Sequence, residues 1–286
     1  MLANYGTDPA LFVRCMNLID GIFPGVKGMA ITAMKYNACW DKKSTPFIIE
    51  ENGEIVAHLG VMPLEIMLNK KKRHVAALHG ICTNEMFRGR GLFKQLMQEA
   101  MKYIENNYDS AILFTDQPSL YTPYRFSVLP EYDFIMDLPN MQKIASDLRL
   151  LSLDDANDLR IIHELLSTHL PLSNQISLIH EQTLFLLNNL TNKLFFSQQL
   201  NAVIVFEIKE RCLFIKDILS QKQSSIDEII NIIPGNYEKV ILQFCFDKFN
   251  NHNYTPILAH TDGNIMVLDN FNYEGKFFRY PESYRC

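Results

Sequence analysis

What the chain lacks narrows its class before any motif is read. Cations are in deficit: 27 Lys and Arg against 32 Asp and Glu leave a formal net charge of −5. A nucleic-acid binder needs a basic face for phosphates, so no nucleic-acid partner is expected. No apolar run approaches the ~20 residues of a membrane-spanning helix. Met1 to Cys15 has neither the basic start nor the apolar stretch of a secretory signal. The six cysteines (Cys15, Cys39, Cys82, Cys212, Cys245 and Cys286) include no Cys-x-x-Cys pair, and no histidine partners them at zinc spacing. They read as reduced thiols, so neither a disulfide framework nor a metal is expected. Together these absences predict a cytoplasmic chain with no membrane partner. The P-loop pattern and the Gly-x-Gly-x-x-Gly dinucleotide turn are also missing.

What is present is an ordinary globular composition, 48% hydrophobic and 21% charged over 286 residues. That length suits about two domains of ~150 residues. The stretch from Leu78 to Ile104 organises the first of them. Leu78 to Thr83 is a short apolar run with the character of a buried strand. Arg88-Gly89-Arg90-Gly91 follows, and then Leu92, Phe93, Leu96, Met97, Ala100, Met101 and Ile104 recur at helical spacing as one apolar stripe. Glycines at a strand-to-helix turn permit backbone angles that a Cβ forbids. The free N–H groups of such a turn and of the first helical residues converge on one spot that suits a phosphate.

Phe87-Arg88-Gly89-Arg90-Gly91-Leu92-Phe93 resembles the acyl-CoA pyrophosphate loop of the GNAT superfamily of N-acyltransferases, Arg/Gln-x-x-Gly-x-Gly/Ala. Arg88 and Gly91 fill its first two fixed places, and Phe93 stands where the family prefers Gly or Ala. Ile81-Cys82-Thr83 resembles the family's fourth strand, whose backbone pairs with the pantetheine arm. Ser110 to Thr115 then stands as the fifth strand, parallel to the fourth. Leu120 to Phe126 resembles the closing motif Leu-Tyr-x-x-x-Gly-Phe, with Tyr121 on the tyrosine that often acts as general acid, Phe126 on the last aromatic and Arg125 in place of Gly. The resemblance is specific over Ala76 to Phe126 and looser over Asp8 to Leu68. It implies an α/β fold with a mixed sheet, and acetyl-CoA as co-substrate held by Ile81, Cys82, Thr83, Arg88, Gly89, Arg90, Gly91, Leu92 and Phe93. It also implies transfer of the acetyl group to an amine, either a small molecule or a protein lysine. The relatives nearest in layout are tandem two-domain ones of the enhanced intracellular survival type. An acyl-CoA-binding module without activity is the alternative.

In chain order, Thr7-Asp8-Pro9 reads as a helix start, followed by a helix carrying Leu11 to Ile19 and a second over Ala30 to Ala38. The resemblance makes this pair a wall of the acceptor pocket, with Trp40 within reach of it. Asn52-Gly53 marks a hairpin, and Asn69-Lys70-Lys71-Lys72-Arg73 a cationic hairpin tip that reads as a solvated turn. The expected division is a catalytic domain at 1–138, a linker at 139–153 and a second domain at 154–286. In the latter, Asp154 to Leu170 and Ser177 to Leu190 look helical, and Ala202 to Lys209 and Arg211 to Leu219 look like paired strands. Leu213–Leu219, Ser224–Ile233 and Val240–Phe246 repeat the strand–helix–strand order. The turn at Ser220 to Gln223 has no glycine, and the helix is expected to be half a turn shorter. The second domain therefore reads as a degenerate GNAT-like copy without a coenzyme site.

An amine attacking a thioester needs alignment, a polarised carbonyl and a proton for the leaving thiolate. Backbone N–H groups at Ile81 to Thr83 can polarise the carbonyl, and Tyr121, with an ordinary pKa of about 10, can supply the proton. Cys82 reads as packing. His79 is the candidate base: a member of the superfamily has a catalytic histidine at that offset, and strand alternation puts His79 on the face of Ile81. The carboxylate of Cys286 is a second candidate, because tandem relatives use theirs. His58, His74, His163 and His260 have no context that singles them out.

Overall fold

A computed structural model describes residues 5, 6, 8, 10–138, 145–249 and 253–286. Thr7 and Pro9 of the expected helix start, and 139–144 of the expected linker, lie outside the described residues.

Helix α1 (Leu11–Ile22) buries Leu11, Cys15, Met16 and Ile19 at helical spacing. Helix α2 is Val26–Met34, four residues earlier than expected at its start. The cause is Asp20, whose Oδ1 accepts from the Gly25 and Lys27 N–H groups at 3.0 and 2.9 Å, while Gly25 supplies the turn at φ +96°. A single turn, α3 (Trp40–Lys43), leads to β1 (Thr45–Glu51), β2 (Glu54–Leu68) and β3 (Lys71–Thr83). The Asn52-Gly53 hairpin forms as expected. The cationic tip is tighter than its sequence suggested, because Lys71 to Arg73 join β3 and only Asn69 and Lys70 turn. Then come α4 (Leu92–Asn107), β4 (Ser110–Thr115), β5 (Phe126–Val128) and β6 (Tyr132–Asp137). The second half supplies β7 (Arg149–Leu150), α5 (Ala156–Thr168), β8 (Ile176–Leu178), α6 (Gln182–Asn188), β9 (Leu194–Ser197), β10 (Ala202–Lys209), β11 (Cys212–Ser220), α7 (Ile226–Ile232), β12 (Lys239–Leu242), β13 (Thr255–Leu258) and β14 (Asn264–Leu268). The expected helix at Ser177 to Leu190 is shorter than its pattern: Ile176–Leu178 instead pairs with β2, and α6 begins where Glu181 caps the Thr183 and Leu184 N–H groups. Among the described residues no helix is long and apolar enough to cross a membrane.

Two mixed sheets result, and their orders match. The first runs β1-β2-β3-β4-β14-β5, with β3 and β4 parallel and the other neighbours antiparallel. The second runs β9-β10-β11-β12-β6-β13 in the same senses, with β7 added beside β9. The halves exchange strands: β14 inserts between β4 and β5 and β8 pairs with β2 in the first sheet, while β6 inserts between β12 and β13 in the second. The expected boundary after residue 138 therefore does not separate the sheets. Helix α7 has 7 residues against 16 in α4, a difference of about two and a half turns rather than the half turn expected.

Helix α4 buries Leu96, Met97, Ala100 and Ile104 against one face of the first sheet. The opposite face shares one apolar core with the second half, joining Met62, Leu64 and Val75 to Ile162, Phe185, Val203 and Tyr280. Helix α7 closes the far side of the second sheet.

Candidate active site

Strands β3 and β4 pair in parallel only from Val75/Ser110 to Leu78/Leu113. Beyond that point β3 continues to Thr83 on its own course and β4 pairs with β14. The two strands part at their C-terminal ends, where α/β sheets most often bind ligands. A bulge starts the divergence: Gly80, at φ +56°, adds a residue to β3 opposite β2. Its carbonyl accepts from His58 Nδ1 at 2.8 Å in one tautomer. The Asn84 N–H bonds to Val56 O at 2.9 Å, so by alternation the Thr83 N–H faces the open edge.

The glycine turn closes one end of this opening. Gly89 and Gly91 both sit at φ +79°, and a Cβ on either would meet nothing within 4 Å. Gly91 is the N-cap of α4 and brings no capping side chain. The first helical N–H groups, which have no partner within a helix, are left for an anion. Arg88 Nε donates to Thr83 O at 3.3 Å, and Arg90 lies over the Phe87 ring at 4.6 Å and near Glu51 at 3.5 Å. Both guanidinium groups stay exposed beside the turn. The cationic tip at Asn69 to Arg73 is at the other end of β3, ~40 Å away at 3.3 Å per residue.

A cavity of ≈410 Å³ lies against the parted strands, between β3, the end of β4 and the α1–α2 pair, and its lining includes Trp40, His79, Ile81, Asp116, Tyr121 and Cys286. Tyr121 is buried; burial pushes its phenol up to about 12, with a Thr115 hydrogen bond working the other way. The ring stacks edge-on against Phe93 at 5.7 Å, and Phe93 also meets Tyr124 at 5.9 Å. The family's small residue is thus replaced by an aromatic that braces Tyr121. Arg125, where the motif has glycine, sits at φ +68°, the left-handed conformation for which glycine is favoured. It is tied to Glu105 and Asp269 at 3.3 and 3.5 Å.

His79 differs from the expectation in two ways. The Gly80 bulge reverses the alternation, so Ile81 packs with Ala76 and Leu78 on the α4 side while Cys82 packs with Ala77 on the other. His79 contacts Trp40 on that second side and does not share the face of Ile81. It also does not titrate near neutrality: complete burial, with His58 nearby, holds its imidazole well below 6.5. Nε2 accepts from Trp40 Nε1 at 3.3 Å and meets Ser44 Oγ at 2.8 Å. Because Trp40 is a donor only, the neutral ring carries its proton on Nδ1, and that atom is buried without a partner among the described residues. Gly60 makes room for the ring, since a Cβ there would come within 2.3 Å of it. Cys82 is buried with its thiol pushed up to about 12, which keeps it protonated and suits packing. Ser44, Thr115 and Asp116 carried no signal in the sequence, because each depends on contacts between distant elements.

A parted parallel strand pair with a buried tyrosine at its cavity, and a glycine turn with uncapped donors joined to that tyrosine through Phe93, fit the class of an acyl-CoA N-acyltransferase fold. Residues 12–129 match the family of the acetyltransferase (GNAT) domain, so the chain carries a domain of the GNAT superfamily. Solved structures of similar fold agree. A probable N-acyltransferase, a conserved protein of unknown function from Enterococcus faecalis V583, is 10% identical over 89% of this chain and 68% of its own, with a TM-score of 0.59. A GCN5-related N-acetyltransferase from Anabaena variabilis ATCC 29413 is 14% identical over 91% and 70%, at 0.56. Eis1 from Mycobacterium abscessus is 10% identical over 77% and 63%, at 0.55. Each of these proteins is longer than the part that this chain spans. No curated protein matches the chain in sequence.

Proposed function

We propose that the protein is an acetyl-CoA-dependent N-acetyltransferase that moves an acetyl group to a primary amine by direct attack within a ternary complex. The observation that carries this reading is the parting of β3 and β4 beside the Gly89–Gly91 turn, with Tyr121 in the same cleft. In it, the N–H groups of the turn and of Leu92 and Phe93 hold the pyrophosphate, with Arg88 and Arg90 adding charge. The open edge of Ile81 to Thr83 pairs with the pantetheine arm and polarises the thioester carbonyl. The amine, having lost one proton to water, forms the C–N bond as the C–S bond breaks, and its nitrogen then releases a second proton to solvent to leave the neutral amide. Tyr121 gives its phenolic proton to the departing sulfur and recovers one from solvent. His79, neutral and held by Trp40 and Ser44, orients the wall. A base role through Nε2 would require that nitrogen to leave Trp40. Cys286 lines the same cavity, its Sγ 4.0 Å from Leu78 O.

The second half fits a structural role. Beyond Ile215/Leu242 its parallel strands part as well. There, however, the Leu170 N–H bonds to Ser220 O at 2.8 Å, and Pro171, Leu172 and Phe249 leave a cavity of only ≈20 Å³.

Release of free CoA thiol from acetyl-CoA with an amine present tests the activity. Gly91→Glu tests the loop: the carboxylate would stand in the anion site at an αL position, and acetyl-CoA affinity measured by calorimetry should fall by more than tenfold, roughly the scale of one like-charge contact. Unchanged affinity would remove the loop from the reading.

A further inference from the structure

The lining of the same cavity points to the kind of acceptor; this step rests on the transferase reading above. Its wall toward α1 and α2 is built from Ile19, Phe23, Val26, Trp40, Phe114 and Leu120. Phe23 and Leu120 are each 44% exposed, so large apolar side chains rim the opening with apolar surface still to cover. Against this wall stands one charged residue type only. Asp116, at the end of β4, is the sole carboxylate among the lining side chains, and no lysine or arginine lines the cavity. Asp116 has no ion-pair or hydrogen-bond partner for its side chain among the described residues. By the glycine turn, Glu51 is paired with Arg90 and Glu85 with Arg88.

We propose that the acceptor is a small monoamine whose primary amine is carried on an apolar body, as in an arylalkylamine, with Asp116 drawing the ammonium in and the α1–α2 wall taking the body. The lining offers Asp116 and, at Cys286, a main-chain carboxylate, against a wall that is otherwise mostly apolar. A polyamine or aminoglycoside would bring further ammonium groups against that apolar surface, and a buried unpaired charge is costly. The apolar wall has a second effect. Asp116 favours the charged amine and desolvation disfavours it, so the acceptor gives up its proton to water as its nitrogen leaves Asp116 for the apolar interior, without a strong base, consistent with a His79 ring whose Nε2 is already occupied.

The test uses the full chain with acetyl-CoA and three amines: 2-phenylethylamine, spermidine and a lysine peptide. Initial rates of thiol release are read alongside calorimetric binding of each amine to the CoA-loaded protein. 2-Phenylethylamine should bind most tightly and show a kcat/KM at least about tenfold above spermidine. Asp116→Asn should raise its KM about tenfold, the scale of one partly solvated charge pair, and Phe23→Ser should weaken its binding while leaving acetyl-CoA affinity unchanged. Tighter binding or faster turnover of spermidine or the peptide overturns the proposal, as does binding of 2-phenylethylamine that neither substitution alters. If 2-phenylethylamine binds with this dependence on Asp116 but no amine releases thiol, the transferase reading fails and the acceptor site stands.

Discussion

Tyr121 and the buried histidines show what burial does to single groups. Tyr121 is held protonated by a pKa near 12, so its donor role does not fade across the physiological range. Tyr121→Phe should lower kcat by ~100-fold, within the range for a general acid, with acetyl-CoA affinity unchanged. Steady-state rates and calorimetry check this, and an unaltered kcat would exclude the role. His58 is pushed down to about 4 by burial. Its unfolded pKa of about 6.5 lies above that, so the unfolded chain binds its proton first. The stability that a neutral His58 contributes is complete above pH 6.5 and is lost as pH falls toward 4, on the order of 3 kcal/mol. His79 acts in the same direction. Asp217 opposes both: burial raises its carboxyl to about 6, so its contribution is complete at low pH and is lost as pH rises through 6. Urea unfolding at several pH values separates them, because His58→Gln should flatten the acid loss by about one proton. An unchanged slope would mean that His58 is not kept neutral.

At the scale of elements, the bulge in β3 decides the site. Gly80 adopts φ +56°, and a Cβ there would stand 3.3 Å from Ile19 Cδ1 and 3.4 Å from the His58 ring. Gly80→Ala should cost about 1–2 kcal/mol from the left-handed backbone alone, with further loss if the ring has to move. Acetyl-CoA affinity should fall with it, since the bulge is where β3 leaves β4. A variant as stable as the parent, with the same affinity, would show that the bulge does not set the opening. The helix after the turn needs no such special residue. Its apolar stripe of Leu96, Met97, Ala100 and Ile104 was readable from spacing alone and lands against the sheet as a 3.6-residue period requires.

At the scale of the whole molecule, the two sheets are tied by exchange. A fragment of residues 1–138 would lack β14, leaving β4 without its neighbour on one side and β5 without a partner. It would also expose the face on which Met62, Leu64 and Val75 meet the second half. Open strand edges and large apolar faces both promote association. Size-exclusion chromatography should find this fragment aggregated, whereas a monodisperse fragment that binds acetyl-CoA would show that β14 is dispensable. The C-terminal segment adds to the tie. Arg279 is fully buried between Asp133 at 2.8 Å, Glu131 at 3.1 Å and Glu282 at 2.9 Å, and Asn188 holds the Arg285 carbonyl at 2.8 Å.

Local signals in the sequence determined the parts whose cause is local. The turn at Arg88 to Gly91, the stripe of α4, the Asn52-Gly53 hairpin and the second strand–helix–strand run each follow from neighbours within a few residues, where backbone sterics and side-chain period act. The glycine turn and the Leu120 to Phe126 stretch could be singled out for the same reason, through motifs that span short stretches, and the structure brings them together through the Phe93–Tyr121 contact. Tertiary structure alone decided the rest. The exchange of β6 and β14 joins strands more than a hundred residues from their partners, and an apolar strand carries no mark of which edge it will meet. The face of His79 turned on a one-residue bulge, which inverts a period-two pattern and which alternation cannot foresee. Asp116 and Trp40 became parts of one cavity only when β4, α3 and the bulged β3 were brought together by packing.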